Sequence, residues 1–216
     1  MENKETVLVF CAHSDDQVFG VGGTIAKYSN EGKEVYTYVF SYGESSNPWM
    51  KEKVLIEQRV KEAKDADKVL GGSGVAFFGL KEGNFFEDYR KKKLNERITE
   101  IIQEKKPSKI FIHSDNDPHP DHRAVYTIIT SLIENIGIKC DVYSFDVWTP
   151  FKLRKRYEPS LLVDISKTFK KKIKALHCFK SQKIALITLI MTVYTRGFFN
   201  GMKARTLVAE RFVKVK

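Results

Sequence analysis

The chain has 216 residues, of which 42% are hydrophobic and 30% charged, as expected for a soluble globular protein with one sizeable core. Its three cysteines, Cys11, Cys140 and Cys178, lack metal-like spacing and predict free thiols in a reducing cytoplasm rather than a disulfide framework. The net charge of +10 favours anionic partners. Because no nucleic-acid motif accompanies the basic clusters at 90–93, 152–156 and 170–172, a nucleic-acid partner is not expected.

Strand-like and helix-like segments alternate along the chain, which predicts a mostly parallel β-sheet flanked by helices on both faces. The predicted strands are residues 6–12, 34–40, 75–78, 109–113, 140–146, 160–164 and 206–212. The predicted helices are residues 18–31, 49–70, 91–105 and 124–135, and a further helix with Ser166 as its N-cap that runs through Lys170 to Phe179. With no internal repeat or break in composition, residues 1–216 are predicted to form a single α/β domain, a three-layer sandwich.

One further apolar run, residues 184–193, bears on membranes and oligomers. It is shorter than the roughly 20 residues that span a bilayer, and the polar start of the chain is unlike a signal peptide. We therefore expect no transmembrane segment and interpret the run as a core helix. An oligomer contact or a membrane-surface contact is the alternative interpretation, and a homo-oligomer would use this run as its interface.

The first chemically informative segment follows the first strand. His13, Asp15 and Asp16 lie in the turn after the apolar run at 7–12, where parallel strands of an open α/β sheet present ligand-binding residues. An imidazole and a carboxylate together suit a metal such as zinc, and a second carboxylate would remain for acid–base chemistry. The competing interpretation is that Ser14 or an Asp only caps the following helix.

The second segment, residues 117–122, follows another predicted strand and supplies two more imidazoles. His119 and His122 flank Asp121, and prolines at 118 and 120 stiffen the backbone. His13, His113, His119 and His122 are four of the chain's five histidines, and each lies at or after a predicted strand end. This clustering indicates a metal site, an acid–base site, or both.

Glycines at 20, 22 and 23 do not form a dinucleotide-binding motif. The fingerprint requires glycines directly after the strand, but His13 to Gln17 occupy that turn. No acidic residue closes the second strand as a ribose ligand would. Close packing of helix on sheet explains these glycines better, so the sequence predicts a Rossmann-like shape without a nicotinamide cofactor.

The two segments resemble the hallmarks of the PIG-L/LmbE superfamily of metal-dependent de-N-acetylases. The family's Ala-His-Pro-Asp-Asp-Glu appears here as Ala12 to Gln17, and its His-Pro-Asp-His-Arg-Ala-Val is intact from His119 to Val125. Weaker similarities extend over the remaining chain, including an Arg-x-x-Glu helix at Arg59 and Glu62 and a C-terminal signature at 209–212. The resemblance implies a Rossmann-like deacetylase.

The resemblance also implies roles for individual residues. His13, Asp16 and His122 would bind Zn²⁺, with Fe²⁺ as an alternative, and Asp15 would be the general base that deprotonates the metal-bound water. His119 would stabilise the developing oxyanion or help to protonate the leaving amine. Arg59 would contact the substrate. Gln17 and Asp121 would not bind the metal themselves but would orient the residues that do.

Two positions depart from the family pattern. Ser14 replaces the usual Pro and removes no ligand, whereas Gln17 replaces the usual Glu and removes a negative charge near the site. The leading hypothesis is a cytoplasmic hydrolase that releases acetate from a small-molecule conjugate of N-acetylglucosamine. An anionic conjugate would be attracted by the positive net charge of the chain. The alternatives are a non-catalytic metal- or sugar-binding homologue altered at Gln17, and a non-haem iron oxygenase that uses the same ligand types.

Three loops are expected to line the mouth of the site and to set its specificity, at residues 42–49, 82–89 and 148–157. Their aromatic side chains would stack on a sugar or cover the core, and the sequence favours neither. These residues are Trp49, Phe85, Phe86, Tyr89, Trp148 and Phe151.

Overall fold

The computed structural model describes residues 4–44, 49, 51–148 and 159–216. The basic cluster at 152–156, Phe151 and most of the predicted mouth loop at 148–157 lie outside these residues. The described residues form seven strands: β1 Thr6–Cys11, β2 Glu34–Ser41, β3 Gly74–Leu80, β4 Lys109–His113, β5 Asp141–Phe145, β6 Ser160–Asp164 and β7 Ala209–Lys214. They also form seven α-helices: α1 Asp16–Asn30, α2 Glu52–Leu70, α3 Phe85–Lys91, α4 Leu94–Lys105, α5 Pro120–Ile136, α6 Phe169–Leu176 and α7 Lys183–Ala204.

The strands form one mostly parallel sheet, which confirms the predicted fold class. Their order is β3-β2-β1-β4-β5-β7-β6, and the first five strands are parallel while β7 runs antiparallel to both neighbours. The chain leaves β1 for β2 on one side and later returns to β4 on the other. This reversal puts a crevice at the carboxyl ends of β1 and β4, the usual ligand site of an open α/β sheet.

Both faces of the sheet are covered, and the alternation of side chains along β1 shows why. Val7 and Val9 pack into one core with α1, α2, α6 and α7, whereas Leu8 and Phe10 pack into a second core with α3, α4 and α5. A strand whose successive side chains enter opposite cores reads as a continuous apolar run. The helix–sheet–helix layering predicted from the sequence is therefore present.

The glycines of α1 have the packing role that the sequence indicated. A Cβ atom at Gly20 would overlap the ring of Phe145 on β5, and one at Gly23 would lie 2.5 Å from Ile165. Larger residues at these two positions would push the helix off the sheet. The glycines therefore bring α1 close to β5, and the turn before them is left for the polar site residues.

Several predicted boundaries are wrong for identifiable reasons. Helix α3 occupies part of the loop predicted at 82–89, and α5 begins at Pro120 rather than 124 because proline is well suited to a first helical position. Ser166 is not an N-cap, since its hydroxyl donates to Asp164 and Thr168 takes the cap position of α6. The last strand begins at Ala209 rather than 206, because Thr206 donates to Gly201 in the turn after α7.

The interpretation of residues 184–193 as a core helix holds for only one side of the helix, where Leu189 and Val193 are buried. The run belongs to α7, which has 22 residues, and among the described residues the segment Lys180–Ala204 is the one long and apolar enough to cross a membrane. Only 22% of its most apolar window is buried. Apolar residues lie on both sides of this helix, so periodicity alone could not show which side packs on the sheet.

Candidate active site

The two polar segments meet at the carboxyl ends of β1 and β4. These strands are hydrogen-bonded neighbours, so the turn after Cys11 and the end of β4 at His113 lie side by side. The backbone N–H of Ala12 donates to Nε2 of His113 at 3.0 Å, which ties the two strand ends together. Helix α5 begins just beyond at Pro120 and carries His122 in its first turn.

Asp16 lies between two of the histidines that the resemblance assigns to a metal. Its Oδ2 atom is 3.3 Å from Nδ1 of His13 and 3.3 Å from Nε2 of His122, and it also accepts the backbone N–H of His13 at 2.7 Å. Tetrahedral ligands about 2.1 Å from a zinc-sized ion lie about 3.4 Å apart. The donor types and these separations therefore fit a divalent cation.

The ring nitrogens on the far side of both histidines also face carboxylates. Nε2 of His13 lies 3.4 Å from Asp121, and Nδ1 of His122 lies 3.0 Å from Asp117. Metal-binding histidines are commonly held by a carboxylate on the second nitrogen, which fixes the tautomer and the ring orientation. Other groupings of donors within 4.8 Å share these residues: His13 with His119 and Asp121, and His113 with Asp117 and His122.

The carboxylates set the protonation of the histidines in the metal-free protein. Burial lowers the pKa of His13, but the hydrogen bonds to Asp121 and Asp16 outweigh this and raise it to about 10. Burial likewise opposes the effect of Asp16 and Asp117 on His122, whose pKa rises to about 9. Conversely, the pKa of Asp16 lies well below its usual range despite burial, because His122 and His113 lie beside it.

Asp15 occupies the N-cap position of α1, but its side chain makes no capping hydrogen bond. The capping interpretation of this residue is therefore not supported. Burial, and secondarily the neighbouring Asp16, raises the pKa of Asp15, while Arg59 opposes the rise. The guanidinium of Arg59 is buried, lies 3.8 Å from Asp15 and donates to Ser14 at 3.2 Å.

His119 is half-buried at the N-cap of α5, and its Nδ1 atom accepts the backbone N–H of Asp121 at 3.2 Å. In a neutral ring the proton therefore resides on Nε2. Burial lowers the pKa of His119, and the nearby charges of His13 and His122 lower it further. The ring stands edge-on to His13 with 4.9 Å between centroids.

Gln17 lies beneath the turn rather than beside a histidine ring. Its amide nitrogen donates to the carbonyl of Ser14 at 2.7 Å, and its oxygen lies 3.6 Å from the thiol of Cys11. A glutamate could not donate to that carbonyl unless it were protonated. Gln17 thus supports the site through the backbone that carries Ser14 and Asp15.

A cavity of about 460 Å³ opens onto these residues and is large enough for a small-molecule ligand. Asp15, Asp16, His13 and His119 line it, while His122 lies behind them, fully buried. Arg59 and Asp121 also line this cavity. Glu82, Gly83 and Trp148 bring parts of the predicted mouth loops to it, whereas Trp49 is 94% exposed.

The sequence predicted no role for three residues that lie close to this site. Asp117 holds His122, Glu82 lies 3.5 Å from Nε2 of His13, and His113 accepts the N–H of Ala12. Asp117 directly precedes the Pro-His-Pro-Asp-His run. Because a histidine that binds a metal commonly has a carboxylate on its second nitrogen, this position could have been predicted as the partner of His122. Glu82 carried no such signal, because it reaches the site from the separate connection after β3.

The fold and the site together define an α/β protein with a cluster of histidines and aspartates at the switch point of its sheet, of the kind that holds a catalytic metal ion. Residues 8–133 match the PIG-L family model, described as GlcNAc-PI de-N-acetylase, so the chain belongs to this family.

The relatives that this chain resembles are named for two different activities, deacetylation and hydration. The chain is 27% identical over 189 residues to a probable N-acetyl-alpha-D-glucosaminyl L-malate deacetylase 2 from Bacillus cereus, covering 84% of this chain and 85% of the relative. It is 29% identical over 199 residues to a 4-oxalmesaconate hydratase from Pseudomonas putida, covering 83% and 75%. A solved N,N'-diacetylchitobiose deacetylase from Pyrococcus horikoshii shares the fold with a TM-score of 0.81 at 21% identity, covering 98% and 84%.

Proposed function

We propose that this protein is a zinc-dependent hydrolase that releases acetate from an N-acetylated amino-sugar conjugate, such as a conjugate of N-acetylglucosamine. The observation that carries the proposal is the position of Asp15. Its carboxylate lines the cavity beside His13 and Asp16 and does not cap α1. A deacetylase of N-acetylglucosaminyl malate among the relatives supports the choice of substrate class.

His13, Asp16 and His122 would hold the metal ion. Two imidazoles and one carboxylate suit Zn²⁺ and leave room for a water molecule and a substrate oxygen, while Fe²⁺ has a similar ligand preference. When bound, the ion would polarise the acetamide carbonyl and lower the pKa of the attacking water towards neutrality. Asp121 and Asp117 keep the two imidazoles aimed at Asp16.

Asp15 acts as the general base and then as an acid. Burial raises the pKa of its carboxyl group, which brings it closer to the pH at which it must both accept and return a proton. It takes a proton from the attacking water as the new C–O bond forms. It then gives this proton to the departing amine as the C–N bond breaks, and the buried Arg59 holds the carboxylate in place.

His119 is placed to stabilise the oxygen that becomes negative during the attack. Because Nδ1 accepts a backbone N–H, a neutral His119 presents an N–H donor on Nε2, and this side chain lines the cavity. A donor held in a partly water-excluded site stabilises a developing oxyanion. Arg59 lines the same cavity and is the proposed contact for the substrate.

The test is acetate release from N-acetylglucosamine conjugates by zinc-loaded protein. Asp15→Asn should lower kcat by about 10²-fold or more because the general base is lost. Asp65→Asn, the same change on the exposed side of α2, is the matched control and should leave kcat unchanged. Retention of more than about a tenth of the activity by metal-replete Asp15→Asn would reject the role of Asp15.

The hydratase relative, at 29% identity, makes hydration of a carbon–carbon double bond the second candidate activity. Both reactions need an activated water, and they differ in the group that receives it. Turnover of 4-oxalmesaconate without acetate release from any N-acetyl compound would favour the hydratase. Oxygen consumption by iron-loaded protein with a 2-oxoacid would instead favour the oxygenase.

A cytoplasmic location is part of the same proposal. All three cysteines are free thiols, and Cys11 is buried in β1. Unpaired cysteines are typical of reducing compartments.

A further inference from the structure

Helix α7 presents a stripe of large apolar side chains to solvent. Its members recur every three or four residues, so they lie on one side of the helix. Their exposed fractions are 84% for Ile184, 74% for Ile187, 65% for Met191, 45% for Tyr194, 57% for Phe198 and 52% for Met202. A contiguous exposed apolar surface on a soluble fold marks an interaction site. We refer to these six residues as the α7 stripe.

The opposite side of α7 is fastened to the protein, so the stripe faces outward. Leu189 and Val193 are buried in the core with α1 and the sheet. A Cβ atom at Gly201 would lie 2.5 Å from the carbonyl oxygen of Leu207, which shows how closely the helix approaches the chain beneath it. Arg196 donates to the carbonyl of Asp146 at 2.9 Å. A helix held along this side lies on the protein surface rather than across a bilayer.

The stretch of sequence that contains the stripe carries charges of only one sign. Between Asp164 and Glu210 the sequence contains ten Lys and Arg residues and no Asp or Glu. Eight of the ten are exposed, whereas Lys172 is buried beside Glu210 and Arg196 donates to the carbonyl of Asp146. Exposed basic residues lie at both ends of α7: Lys180 and Lys183 at its start, and Lys203 and Arg205 at its end.

We propose that the α7 stripe docks this protein onto an anionic phospholipid surface. An interfacial helix buries its apolar side at the boundary between headgroups and acyl chains, and flanking Lys and Arg contact the anionic headgroups. A second copy of the chain fits less well, because a two-fold interface would bring the same basic segment from both subunits together without an acidic partner from that segment. The proposal does not depend on the catalytic activity.

Helix α7 also contributes to the wall of the proposed catalytic cavity, on the side away from the stripe. Ala185 and Leu189, from the first half of α7, form part of the cavity wall. The six stripe residues are not among the described residues that line the cavity. Substitutions in the stripe should therefore change lipid binding without changing hydrolysis of a soluble substrate.

Vesicle co-sedimentation of the full chain tests the proposal. The wild type should bind phosphatidylcholine vesicles that contain phosphatidylserine, and added salt should weaken the binding. Ile187→Glu with Met191→Glu should lower vesicle affinity by at least about tenfold, since two buried apolar contacts are replaced by repelled charges. Lys183→Gln and Lys203→Gln should each lower it about fivefold. Unchanged thermal unfolding would show that these variants fold.

The matched control is Val54→Glu with Phe86→Glu, which changes two other half-exposed apolar residues and adds the same charge. This control should lose only the affinity that two added negative charges cost. It should therefore bind vesicles far more tightly than the stripe variant. Absence of vesicle binding by the wild type would overturn the proposal. Equal losses of vesicle affinity in the control and stripe variants would also overturn it. So would a wild-type dimer in sedimentation analysis that the stripe substitutions convert to a monomer and that vesicles leave unchanged.

Discussion

The carboxylate oxygen Oδ1 of Asp117 lies 3.0 Å from Nδ1 of His122, and both side chains are buried. The same oxygen accepts the backbone N–H of His119 at 3.0 Å, so one carboxylate fixes both histidines of the second segment. This contact makes Asp117 a positioning residue for the proposed metal site. It also connects that site to the residue proposed to stabilise the oxyanion.

Asp117→Asn should therefore weaken Zn²⁺ binding by about 10- to 100-fold, because His122 loses the negative charge that orients it and makes it more basic. The affinity is measured by competition with a chelator at fixed pH. Asp115→Asn, an exposed position two residues earlier, supplies the control and should bind zinc as the wild type does. Equal zinc affinities for Asp117→Asn and the wild type would place the metal away from His122.

The raised histidine pKa values predict that the metal-free protein loses stability as the pH rises. With folded-state values of about 10 for His13 and about 9 for His122, the folded protein binds more protons than the unfolded chain above an unfolded pKa of about 6.5. The free energy of unfolding therefore falls with pH over this window. Urea unfolding of chelator-treated protein between pH 7 and about 10 measures the slope.

The same protons must leave before a metal binds, so the apparent Zn²⁺ affinity should increase over the pH range in which metal-free stability decreases. His122→Asn removes one of the two titrating groups and should flatten the stability profile. A metal-free wild type whose stability is constant from neutral to alkaline pH would contradict the protonation of His13 and His122.

Gln17→Glu tests whether the departure from the family pattern at position 17 alters catalysis or stabilises the turn that carries Ser14. Gln17 is buried and donates to the carbonyl of Ser14 at 2.7 Å, whereas a carboxylate would lose this donor and face the oxygen. The substitution should lower the free energy of unfolding by about 1 to 3 kcal/mol. The variant should release acetate no faster than the wild type. Gln103→Glu, on the exposed side of α4, should leave both quantities unchanged.

An inactive wild type together with an active Gln17→Glu variant would support the non-catalytic alternative. In that case the charge at position 17 would govern the chemistry, and the hydrogen bond to Ser14 would be incidental. Urea unfolding and the acetate assay on the same preparations separate these outcomes.

The sequence predicted the elements whose signal is local. The apolar run of β1 and the polar turn after it placed His13, Asp15 and Asp16 correctly at a strand end, because a strand buried on both faces has a continuous apolar sequence. The second hallmark placed His119 and His122 in the same way. The adjacency of β1 and β4 then followed from the general topology of open parallel sheets.

Features that depend on distant contacts could not be predicted in this way. Glu82 approaches His13 only because β3 and β1 belong to one sheet, and the α7 stripe is exposed only because the opposite side of α7 covers the core. Periodicity shows which residues share a side of a helix. It does not show which of two apolar sides packs against the protein, and this is why the exposure of one side of residues 184–193 was not predicted.

A buried ion pair between Lys172 and Glu210 joins α6 to β7 and offers the last prediction. The ammonium lies 2.6 Å from the carboxylate and donates to the carbonyl of Phe19, while Glu210 also accepts the N–H groups of Gly23 and Thr24. Glu210→Gln leaves a buried cation without its counter-charge and should lower the free energy of unfolding by about 3 to 5 kcal/mol. Lys172→Met should cost a similar amount because the carboxylate is then unpaired. The double variant should cost clearly less than the sum, as measured by a urea double-mutant cycle. Strictly additive losses would show that the two side chains stabilise α1 separately, through Phe19 and through Gly23 and Thr24.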